Sequence, residues 1–579
     1  MKELYIEVFS DVELDGTCIV PIETVIALFV FKYCDNPPAL VTLVLSSKPK
    51  NRPSFKIKIS KLLFDFINQE DLETPADLCN LPVIVTCEGT TVVAGLCAIL
   101  RHVLKISDQR HPLLGFKQSC LYACAESSIW TKFCEIDIIK TVNELFLKDD
   151  WICNNIEVPV DVARFEIHMS QPVRIHNIQK QKQDYARAKG FEIKSGLPDS
   201  RLDLLEDLDH VYAEGPEMSL ADIILFPCFH IILGFIGSVF LKQHLPLTYK
   251  WYENMLKNSQ VAKAIKIILN MEKKFVNEIY VNYNLPDVPN QSLYKSEAKR
   301  SKPKRQFYTK QENIDACFEI INEMNIDLNW EDLTFGHDVD FDWSAVPFDA
   351  QPEGSQLPEK RLERKSQQLE NLTKAVLKIA KHNDHIVDFC SGSGHLGLIL
   401  AHSLPRCIIV LLENKEESLN RARERAIKLK LSNVVFCQSN IDYFRGNFNI
   451  GVSLHACGVA TDLVMERCIQ QKAAFVCCPC CYGSIQPNHM ITYPRSLIFS
   501  NSRLSLNEYF VLGHSADQTH DENNVKTSQG NKCMRIIDMD RCLRAKDAGY
   551  SVALSKLKPI TCTPKNNLLI GIPPEICKS

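Results

Sequence analysis

The chain has 579 residues, which is enough for roughly two to four domains that each bury a core of their own. Its formal net charge is −4 and 45% of its residues are hydrophobic, so the composition is that of an ordinary globular protein and excludes a globally basic nucleic-acid coat. The first residues show no secretion signal and no apolar run is long enough to span a membrane, so we expect the 24 cysteines to be reduced thiols in a cytoplasmic protein.

The first part of the chain alternates strand-like and helix-like runs. The runs "LYIEVF", "PIETVIALFVFKY" and "ALVTLVLS" predict a strand, a helix and a second strand. The longer stretch "LPVIVTCEGTTVVAGLCAILRHVL" predicts two strands that are joined by a turn at Glu88 and Gly89 and followed by a helix. This alternation predicts a small α/β domain over residues 1–107.

Residues 108–283 change to a helical pattern, in which apolar positions recur every three or four residues, as in "VAKAIKIILNMEKKF". Ser219 and Asp222 stand three residues apart before a long apolar run, which predicts a capping box at the start of a buried helix. Residues 284–360 are polar and rich in turn formers. We interpret them as a linker with one helical insert, "ENIDACFEIINEMN".

One dense basic cluster lies in this linker. Such a cluster is either a solvated surface or a contact for RNA or for localisation, and the sequence leaves both interpretations open. Its residues are Lys299, Arg300, Lys302, Lys304 and Arg305.

Strands and helices alternate again over residues 361–579 with short connections, which predicts a doubly wound, mostly parallel sheet. The helix "KRLERKSQQLENLTKAVLKIAKH" leads into the strand "HIVDFC", and further strands are expected at "CIIVLLEN", "NVVFCQSN", "NIGVSLHACG" and "AAFVCCPCCYG". The last two strands, in "GYSVALSKLKPITCTPKNNLLIGIP", lack a helix between them and are predicted to form a hairpin at the sheet edge.

The stretch "VDFCSGSGHLGLILA" places Gly392, Gly394 and Gly397 between a strand and a helix, where a doubly wound sheet binds its cofactor. Asp388 ends the strand and Cys390 follows it, in the pattern D-x-C-x-G-x-G. A carboxylate at this point would repel the pyrophosphate of a dinucleotide, so it favours a cofactor that carries positive charge. The alternative is a packing loop that binds no ligand.

S-adenosyl-L-methionine is the cofactor that fits this loop together with the next two strand ends. Glu413 ends the second strand of the domain and is spaced to bridge the two hydroxyls of a ribose. Asn440, after the third strand, is expected to contact the adenine amino group, with Asp442 as a near alternative. Asp388 is expected to accept a hydrogen bond from the amino group of the methionine moiety.

Candidate residues for the acceptor side come from three further segments. His455, after the fourth strand, is a candidate base, and the alternative is a core histidine. Lys565, in the turn before the last strand, is the second catalytic candidate and is expected to line the acceptor pocket. Arg361 and Lys365 share one helix face with Gln368, and this face either binds substrate phosphate or cofactor carboxylate or is only solvated.

The run "CCPCC" follows the fifth strand at the expected rim of the pocket. Adjacent cysteines point apart, so we predict no metal, although packing, a pocket wall and redox or metal chemistry all stay open for this run. Cys478 and Cys481 are candidates for substrate contact. Tyr482 is expected to stack on a base.

The stretches "VDFCSGSGHLGLILA", "LLENKEESLNRARERA", "SLHACGVATDLVMERC", "FVCCPCC" and "TPKNNLLIGIP" resemble the class I methyltransferase domain of a family that includes certain tRNA ribose methyltransferases. The resemblance spans residues 360–579. It implies a Rossmann-like fold, S-adenosyl-L-methionine as the cofactor, and RNA, either tRNA or rRNA, as the partner that is methylated.

The first half resembles glutathione S-transferases: "LPVIVTCEGTTVVAGLCAILRHVL" is similar to their cis-proline strand pair and following helix, and "SLADIILF" to their capping-box helix. The resemblance implies a thioredoxin-like α/β domain, an all-helical C-terminal-like domain, and a glutathione site beside Pro82 and Val83. Ala94 and Gly95 stand where that family has the acid-serine pair that holds glutathione. We therefore expect a non-catalytic docking module for a protein partner, and the alternatives are a glutathione-binding transferase and an inactive scaffold.

Overall fold

The computed structural model describes most of the chain, and the description below is confined to those residues. They are residues 2–59, 62–86, 89–107, 111–125, 128–147, 155–175, 177–190, 206–269, 282–294, 310–326, 331–354, 358–519 and 524–574. The basic cluster of the predicted linker lies outside the described residues. The chain forms two compact units, one of residues 1–89 and 93–296 and one of residues 90–92 and 297–579. None of the described helices combines the length and the apolar character that crossing a bilayer requires.

The strands between residues 1 and 296 are β1 (Glu3–Val8), β2 (Thr17–Val20), β3 (Leu40–Leu45), β4 (Phe55–Lys58), β5 (Phe64–Asn68), β6 (Val83–Val85), β7 (Thr91–Ala94), β8 (Asn155–Glu157) and β9 (Asn282–Asn284). A mixed sheet has the order β7-β6-β1-β3-β5, in which β1 is parallel to β3 and antiparallel to β6. β2 pairs with β4 and β8 with β9. The predicted strand pair after Pro82 is present, and the Leu81–Pro82 peptide bond is cis.

The helices of the first unit are α1 (Ile22–Tyr33), α2 (Leu96–Ile106), α3 (Ile129–Lys132), α4 (Ile138–Leu147), α5 (Val160–Met169), α6 (Ile178–Ala188), α7 (Leu220–Ile236), α8 (Ser238–His244), α9 (Pro246–Lys257) and α10 (Ser259–Ala264). α1 is apolar on nearly every side because both the sheet and other helices of the same unit cover it. Of the helix that we predicted in "VAKAIKIILNMEKKF", the described residues contain α10 and a following 3-10 turn (Ile265–Ile267), and residues 270–281 lie outside the described part.

The predicted capping box at the start of α7 is confirmed. Asp222 Oδ2 accepts the backbone N–H of Ser219 at 2.8 Å, while its Oδ1 accepts the backbone N–H of Ala213 at 2.7 Å and the indole N–H of Trp251 at 2.8 Å. Burial raises the pKa of Asp222 to about 6. Because a buried carboxyl group is costly unless donors surround it, the cap also fastens α9, which carries Trp251, to α7.

The amino terminus of α2 is covered from within the first unit. Gly95 lies just before this helix with a φ of 93°, and the backbone N–H of Cys97 donates to Glu135 Oε1 at 3.0 Å. The first N–H groups of a helix attract anions because they have no partner within the helix. The carboxylate of Glu135 therefore occupies the place at which an external anion would bind.

The strands of the second unit are β10 (His385–Phe389), β11 (Ile408–Glu413), β12 (Val434–Gln438), β13 (Ile450–Cys457), β14 (Ala474–Cys480), β15 (Ser551–Lys556) and β16 (Asn567–Ile572). They run in the order β12-β11-β10-β13-β14-β16-β15. The first five are parallel and β16 is antiparallel to both of its neighbours, which confirms the doubly wound sheet and the edge hairpin. The strand order reverses between β10 and β13, and ligands bind at the carboxyl ends of strands beside such a switch point.

The helices of the second unit are α11 (Gln311–Glu323), α12 (Glu359–Ile379), α13 (His395–Ser403), α14 (Glu416–Lys428), α15 (Val459–Gln471), α16 (Leu497–Ser500), α17 (Leu506–Ala516) and α18 (Val525–Asp547). The sequence analysis assigned no element to the segment that holds α16 to α18. The predicted insert is α11, and its buried Cys317 donates to the carbonyl oxygen of Glu508 in α17. Val346 and Ala350 also join the core of this unit. The described residues 311–326 and 331–354 therefore do not form the linker that we predicted, because a few buried side chains anchor these otherwise polar segments.

A buried arginine joins α15 to α18. Arg541 Nε and Nη2 donate to the two carboxylate oxygens of Asp462 at 3.0 and 2.7 Å, and its Nη1 donates to Asp538 at 3.1 Å. Asp538 in turn accepts the hydroxyl of Tyr482 at 2.6 Å, directly after β14. All four side chains are buried, so each charge depends on these partners in place of water.

We predict that Arg541→Met lowers the free energy of unfolding by about 3–5 kcal/mol, because it leaves the carboxylate of Asp462 buried without its main partner. The matched control is Arg544→Met on the same helix. Arg544 binds Glu466 where solvent still reaches both side chains, so its loss should cost less than about 1 kcal/mol. Urea denaturation followed by circular dichroism measures both values, and equal losses in the two variants would contradict the prediction.

Candidate functional site

The glycine loop between β10 and α13 is held by two carboxylates at strand ends. The backbone N–H of Gly397 donates to Asp388 Oδ2 at 2.9 Å, and that of Gly392 donates to Glu413 Oε2 at 2.8 Å. Glu413 Oε1 also accepts the backbone N–H of Lys415 at 2.9 Å. The structure thus brings together the acidic residues and glycines that the sequence analysis predicted for cofactor binding.

The three glycines of the loop have different roles. A Cβ atom at Gly397 would lie 2.0 Å from Leu411 Cδ2 in β11, and one at Gly394 would lie 2.8 Å from Ala422 Cβ in α14, so a side chain at either position would force these neighbours to move. Gly392 has a φ of 57° and nothing within 4 Å of its Cβ position. The open side of the loop is therefore at Gly392, where a ligand can approach the backbone closely.

Cys390 takes a left-handed backbone conformation, with a φ of 57°, in the corner between β10 and the glycines. It is half-buried. The hydroxyl of Ser391 beside it is buried and lacks a hydrogen-bond partner in the described structure. An unpartnered buried hydroxyl next to an open glycine fits a polar ligand, because such a group costs free energy until it is paired.

The carboxyl group of Asp388 is almost completely withdrawn from water. Burial raises the pKa of Asp388 to about 7, against the opposite influence of the Gly397 N–H and of the charge on Lys365. Lys365, on α12, is half-buried, and burial lowers the pKa of its ammonium group. A cation that binds beside Asp388 would favour the ionised carboxylate.

Arg425 on α14 supports the loop from below, and the sequence analysis missed it. Its guanidinium donates to the carbonyl oxygens of Ser393 at 3.1 Å and of Asp349 at 2.9 Å, and to His395 Nδ1 at 3.1 Å. Burial lowers the pKa of His395 to about 3, so its ring is neutral and can accept this bond. The only sequence signal was an arginine in a helix of alternating charge, which is usually a solvated face.

The third strand end offers two polar side chains. Asn440 is half-buried, and its Oδ1 lies 3.5 Å from Asn414 Nδ2. Asp442 is 8% exposed, and its Oδ2 lies 3.3 Å from His489 Nε2, while Oδ1 is buried and unpartnered within the described residues. Within the described structure, Asp442 therefore has an unpaired carboxylate oxygen at this strand end, whereas the sequence analysis placed Asn440 first and Asp442 as the near alternative.

His455 has a defined tautomer at the carboxyl end of β13. Gln368 Nε2 donates to the carbonyl oxygen of Cys562 at 2.8 Å, so Gln368 Oε1 faces His455 Nε2, also at 2.8 Å. An oxygen acceptor at that distance requires the proton on Nε2, which leaves the lone pair on Nδ1. Burial, assisted by the charge on Lys365, lowers the pKa of His455 to about 4, so the ring is neutral at physiological pH.

Two of the predicted acceptor-side residues are buried. Tyr482 is fully buried and its hydroxyl donates to Asp538, so its ring has no face for a base and the prediction of stacking is corrected. Cys478 is fully buried as well, and its thiol donates to the carbonyl oxygen of Lys565 at 3.4 Å, so it cannot contact substrate. The sequence could not show that these two residues are buried, because α17 and α18, the helices that cover the carboxyl end of β14, were not predicted.

The cationic candidates have different surroundings: Lys565, the catalytic candidate, is paired within the fold, whereas Arg361, a substrate-binding candidate, is exposed. The ammonium group of Lys565 donates to the carbonyl oxygen of Ala516 and lies 3.0 Å from Asp517 Oδ1, which gives it a structural pairing instead of the predicted catalytic one. Arg361 is exposed at the first turn of α12, whereas Lys365 one turn later faces the site. Cys481 is half-buried, with its Sγ 3.2 Å from that of Cys457.

Known proteins match this chain at two levels. Residues 360–488 match a family described as "Methyltransferase domain". The glutathione S-transferase C-terminal domain-containing protein homolog of Drosophila melanogaster is 39% identical over 598 residues and covers 99% of each chain. The glutathione S-transferase C-terminal domain-containing proteins of Xenopus laevis and Homo sapiens are 35% and 34% identical; each covers 96% of this chain, and the match spans 98% and 96% of their own lengths.

We predict that His455 stays neutral down to about pH 5, because its pKa of about 4 lies below the ordinary 6.5. Nitrogen-15 NMR of histidine-labelled protein measures both this pKa and the proton on Nε2. Gln368→Glu should raise the pKa by about one unit or more, since a carboxylate favours the imidazolium ion.

The matched control is Gln368→Met, which removes the acceptor without adding charge. Its histidine should keep a low pKa but lose the fixed tautomer. A wild-type His455 that titrates near 6.5 would refute the assignment.

Proposed function

This chain belongs to the family of glutathione S-transferase C-terminal domain-containing proteins and carries a methyltransferase domain, and from this premise we propose that it is an S-adenosyl-L-methionine-dependent methyltransferase. Two observations in the glycine loop carry the proposal: the buried carboxyl group of Asp388, which accepts the Gly397 N–H, and the open backbone at Gly392. That pair suits a ligand with a cationic amino group and opposes one with a pyrophosphate.

Each side chain of the crevice has a role in this proposal. Asp388 accepts the amino group of the cofactor, Glu413 the ribose hydroxyls, and Asp442 the adenine amino group. When bound, S-adenosyl-L-methionine supplies an electrophilic methyl group. The main contribution of the chain is to hold the acceptor in line at near-attack distance and to exclude water.

His455 is the base in this proposal. Its Nδ1 lone pair accepts a proton from an acceptor hydroxyl as that oxygen attacks, while Gln368 keeps the opposite nitrogen protonated. A pKa of about 4 keeps the ring unprotonated, although it also makes His455 a weak base. Lys365 lies near both His455 and Asp388 and adds positive charge where the carboxylate of the methionine moiety would bind.

RNA is the acceptor that we propose, with a ribose hydroxyl as the methylated group. The resemblance to tRNA ribose methyltransferases supports it, and so does a neutral histidine with a free lone pair at the fourth strand end. tRNA and rRNA both fit this chemistry.

For the first unit we propose a glutathione S-transferase-like fold that serves as a docking module for a protein partner and not as a catalyst. The parallel β1-β3 pair, the antiparallel β6 and the cis peptide bond at Pro82 support the fold. Two observations oppose glutathione chemistry. The carboxylate of Glu135 already covers the amino terminus of α2, and Ala94 and Gly95 offer no side-chain hydroxyl or acid beside it.

We predict that S-adenosylhomocysteine binds about tenfold more tightly at pH 8 than at pH 6, because Asp388 must lose its proton to receive the ammonium group and its pKa is about 7. Asp388→Asn should remove this pH dependence and weaken binding about 10- to 100-fold at pH 8. Isothermal titration calorimetry on the full chain measures both effects.

The matched ligand is 5′-methylthioadenosine, which lacks the amino acid part. It should bind with equal affinity at both pH values and to both proteins. Glutathione, titrated under the same conditions, should give no binding heat. Tighter binding of NADH than of S-adenosylhomocysteine would refute the proposed cofactor.

We predict that cells lacking the protein lose one 2′-O-methylated nucleoside from tRNA or rRNA, measured by mass spectrometry of nuclease digests. Expression of the wild-type protein should restore it, whereas expression of Asp388→Asn to the same level should not. Unchanged methylation in all RNA fractions would refute RNA as the acceptor. It would not contradict the proposed binding of the cofactor.

A further inference from the structure

Three cysteine sulfurs converge at the carboxyl ends of β13 and β14. Cys457 Sγ lies 3.3 Å from Cys480 Sγ and 3.2 Å from Cys481 Sγ, and the three sulfurs all lie within 4.8 Å of one another. Cys457 is the register partner of Cys480 across the two parallel strands. The sequence analysis considered only the "CCPCC" run and missed Cys457, which is 23 residues earlier and becomes a neighbour only through strand pairing.

The local backbone explains why adjacent cysteines meet here instead of pointing apart. Cys481 has a left-handed conformation, with φ and ψ of 52° and 53°, so the chain turns sharply after the strand and the alternation of side chains stops. The turn after Cys457 closes onto the same place, since a Cβ at Gly458 would lie 2.6 Å from the carbonyl oxygen of Ser484. Asp517 accepts both backbone N–H groups that follow Cys481, which fixes this corner.

We propose that Cys457, Cys480 and Cys481 bind one zinc ion as thiolates. Zinc–sulfur bonds of about 2.3 Å in a tetrahedral site place the sulfurs about 3.8 Å apart. Two of the observed separations, 3.3 and 3.2 Å, are a few tenths of an ångström shorter than that value, and the third is below 4.8 Å, so small side-chain movements would accommodate the ion. Sulfur ligands select zinc over magnesium or calcium, which prefer oxygen.

The zinc ion would keep one open position. Among the residues that the structure describes, the cluster contains three ligand atoms, whereas structural zinc sites are usually closed by four. Cys457 is exposed and Cys481 half-buried, so water or a small ligand reaches the fourth position. The arrangement is that of a reactive zinc site, located at the end of the sheet that also carries His455.

Metal analysis of the full chain tests this assignment. Protein from zinc-supplemented cells, kept under a phosphine reductant and dialysed against metal-free buffer, should contain about one zinc per chain by plasma mass spectrometry. Exchange with cobalt should give the visible bands of a tetrahedral cobalt–thiolate centre. Cys457→Ser should lower zinc to below about one tenth per chain while S-adenosylhomocysteine still binds, which shows that the fold is intact.

The matched control is Cys407→Ser at the opposite end of the sheet. Cys407 is buried and its thiol donates to the carbonyl oxygen of Lys381, a bond that serine can also make, so this variant should keep its zinc. The proposal is overturned if wild-type protein is free of zinc, if Cys457→Ser retains it, or if a disulfide within the cluster persists in the presence of the reductant. The metal content does not depend on methyl transfer, so failure here leaves the proposed function standing.

Discussion

The second unit depends on pairing the charged and polar groups that it buries. Two guanidinium groups provide this pairing, one at the glycine loop and one at the ends of β13 and β14. Arg425 ties the glycine loop to residues 349–351, and Arg541 joins Asp462 and Asp538 beneath the ends of β13 and β14. Each guanidinium group donates hydrogen bonds to carbonyl or carboxylate oxygens that the fold has partly or fully withdrawn from water. We therefore expect the proposed cofactor and acceptor sides to be formed before a ligand binds, so that binding need not first order them.

The sequence predicted the features that depend on residues close together in the chain. Apolar periodicity gave the doubly wound sheet and its edge hairpin, and the spacing of Ser219 and Asp222 gave the capping box. The glycine loop was also recognisable, because a strand, an acidic residue and glycines at fixed spacing are contiguous in the chain. For Asp388, the sequence showed only that the residue is acidic. The structure shows that its carboxyl group is buried, and this burial raises its pKa to about 7.

The sequence could not show which side chains are buried or which residues far apart in the chain contact one another. Tyr482 and Lys565 have residue types suited to a pocket, but helices from a segment without a predicted element enclose them. In α18, buried Asp538 and Arg541 interrupt the apolar period, so the helix was invisible to a pattern search. Cys457 and Gln368 matter only through strand register and helix packing, which join residues far apart in the chain.

The carboxylate of Glu135, which accepts an N–H at the amino terminus of α2, has a consequence for how the first unit responds to metabolism. A domain whose helix terminus is capped by a dissociable anion gains stability with the logarithm of the concentration of that anion, once this concentration exceeds the dissociation constant. A carboxylate supplied by the same chain is present at a constant and high effective concentration. The stability of the first unit should therefore be the same in cells rich in glutathione and in cells depleted of it. A partner that binds this unit would not have to compete with glutathione, whose concentration varies.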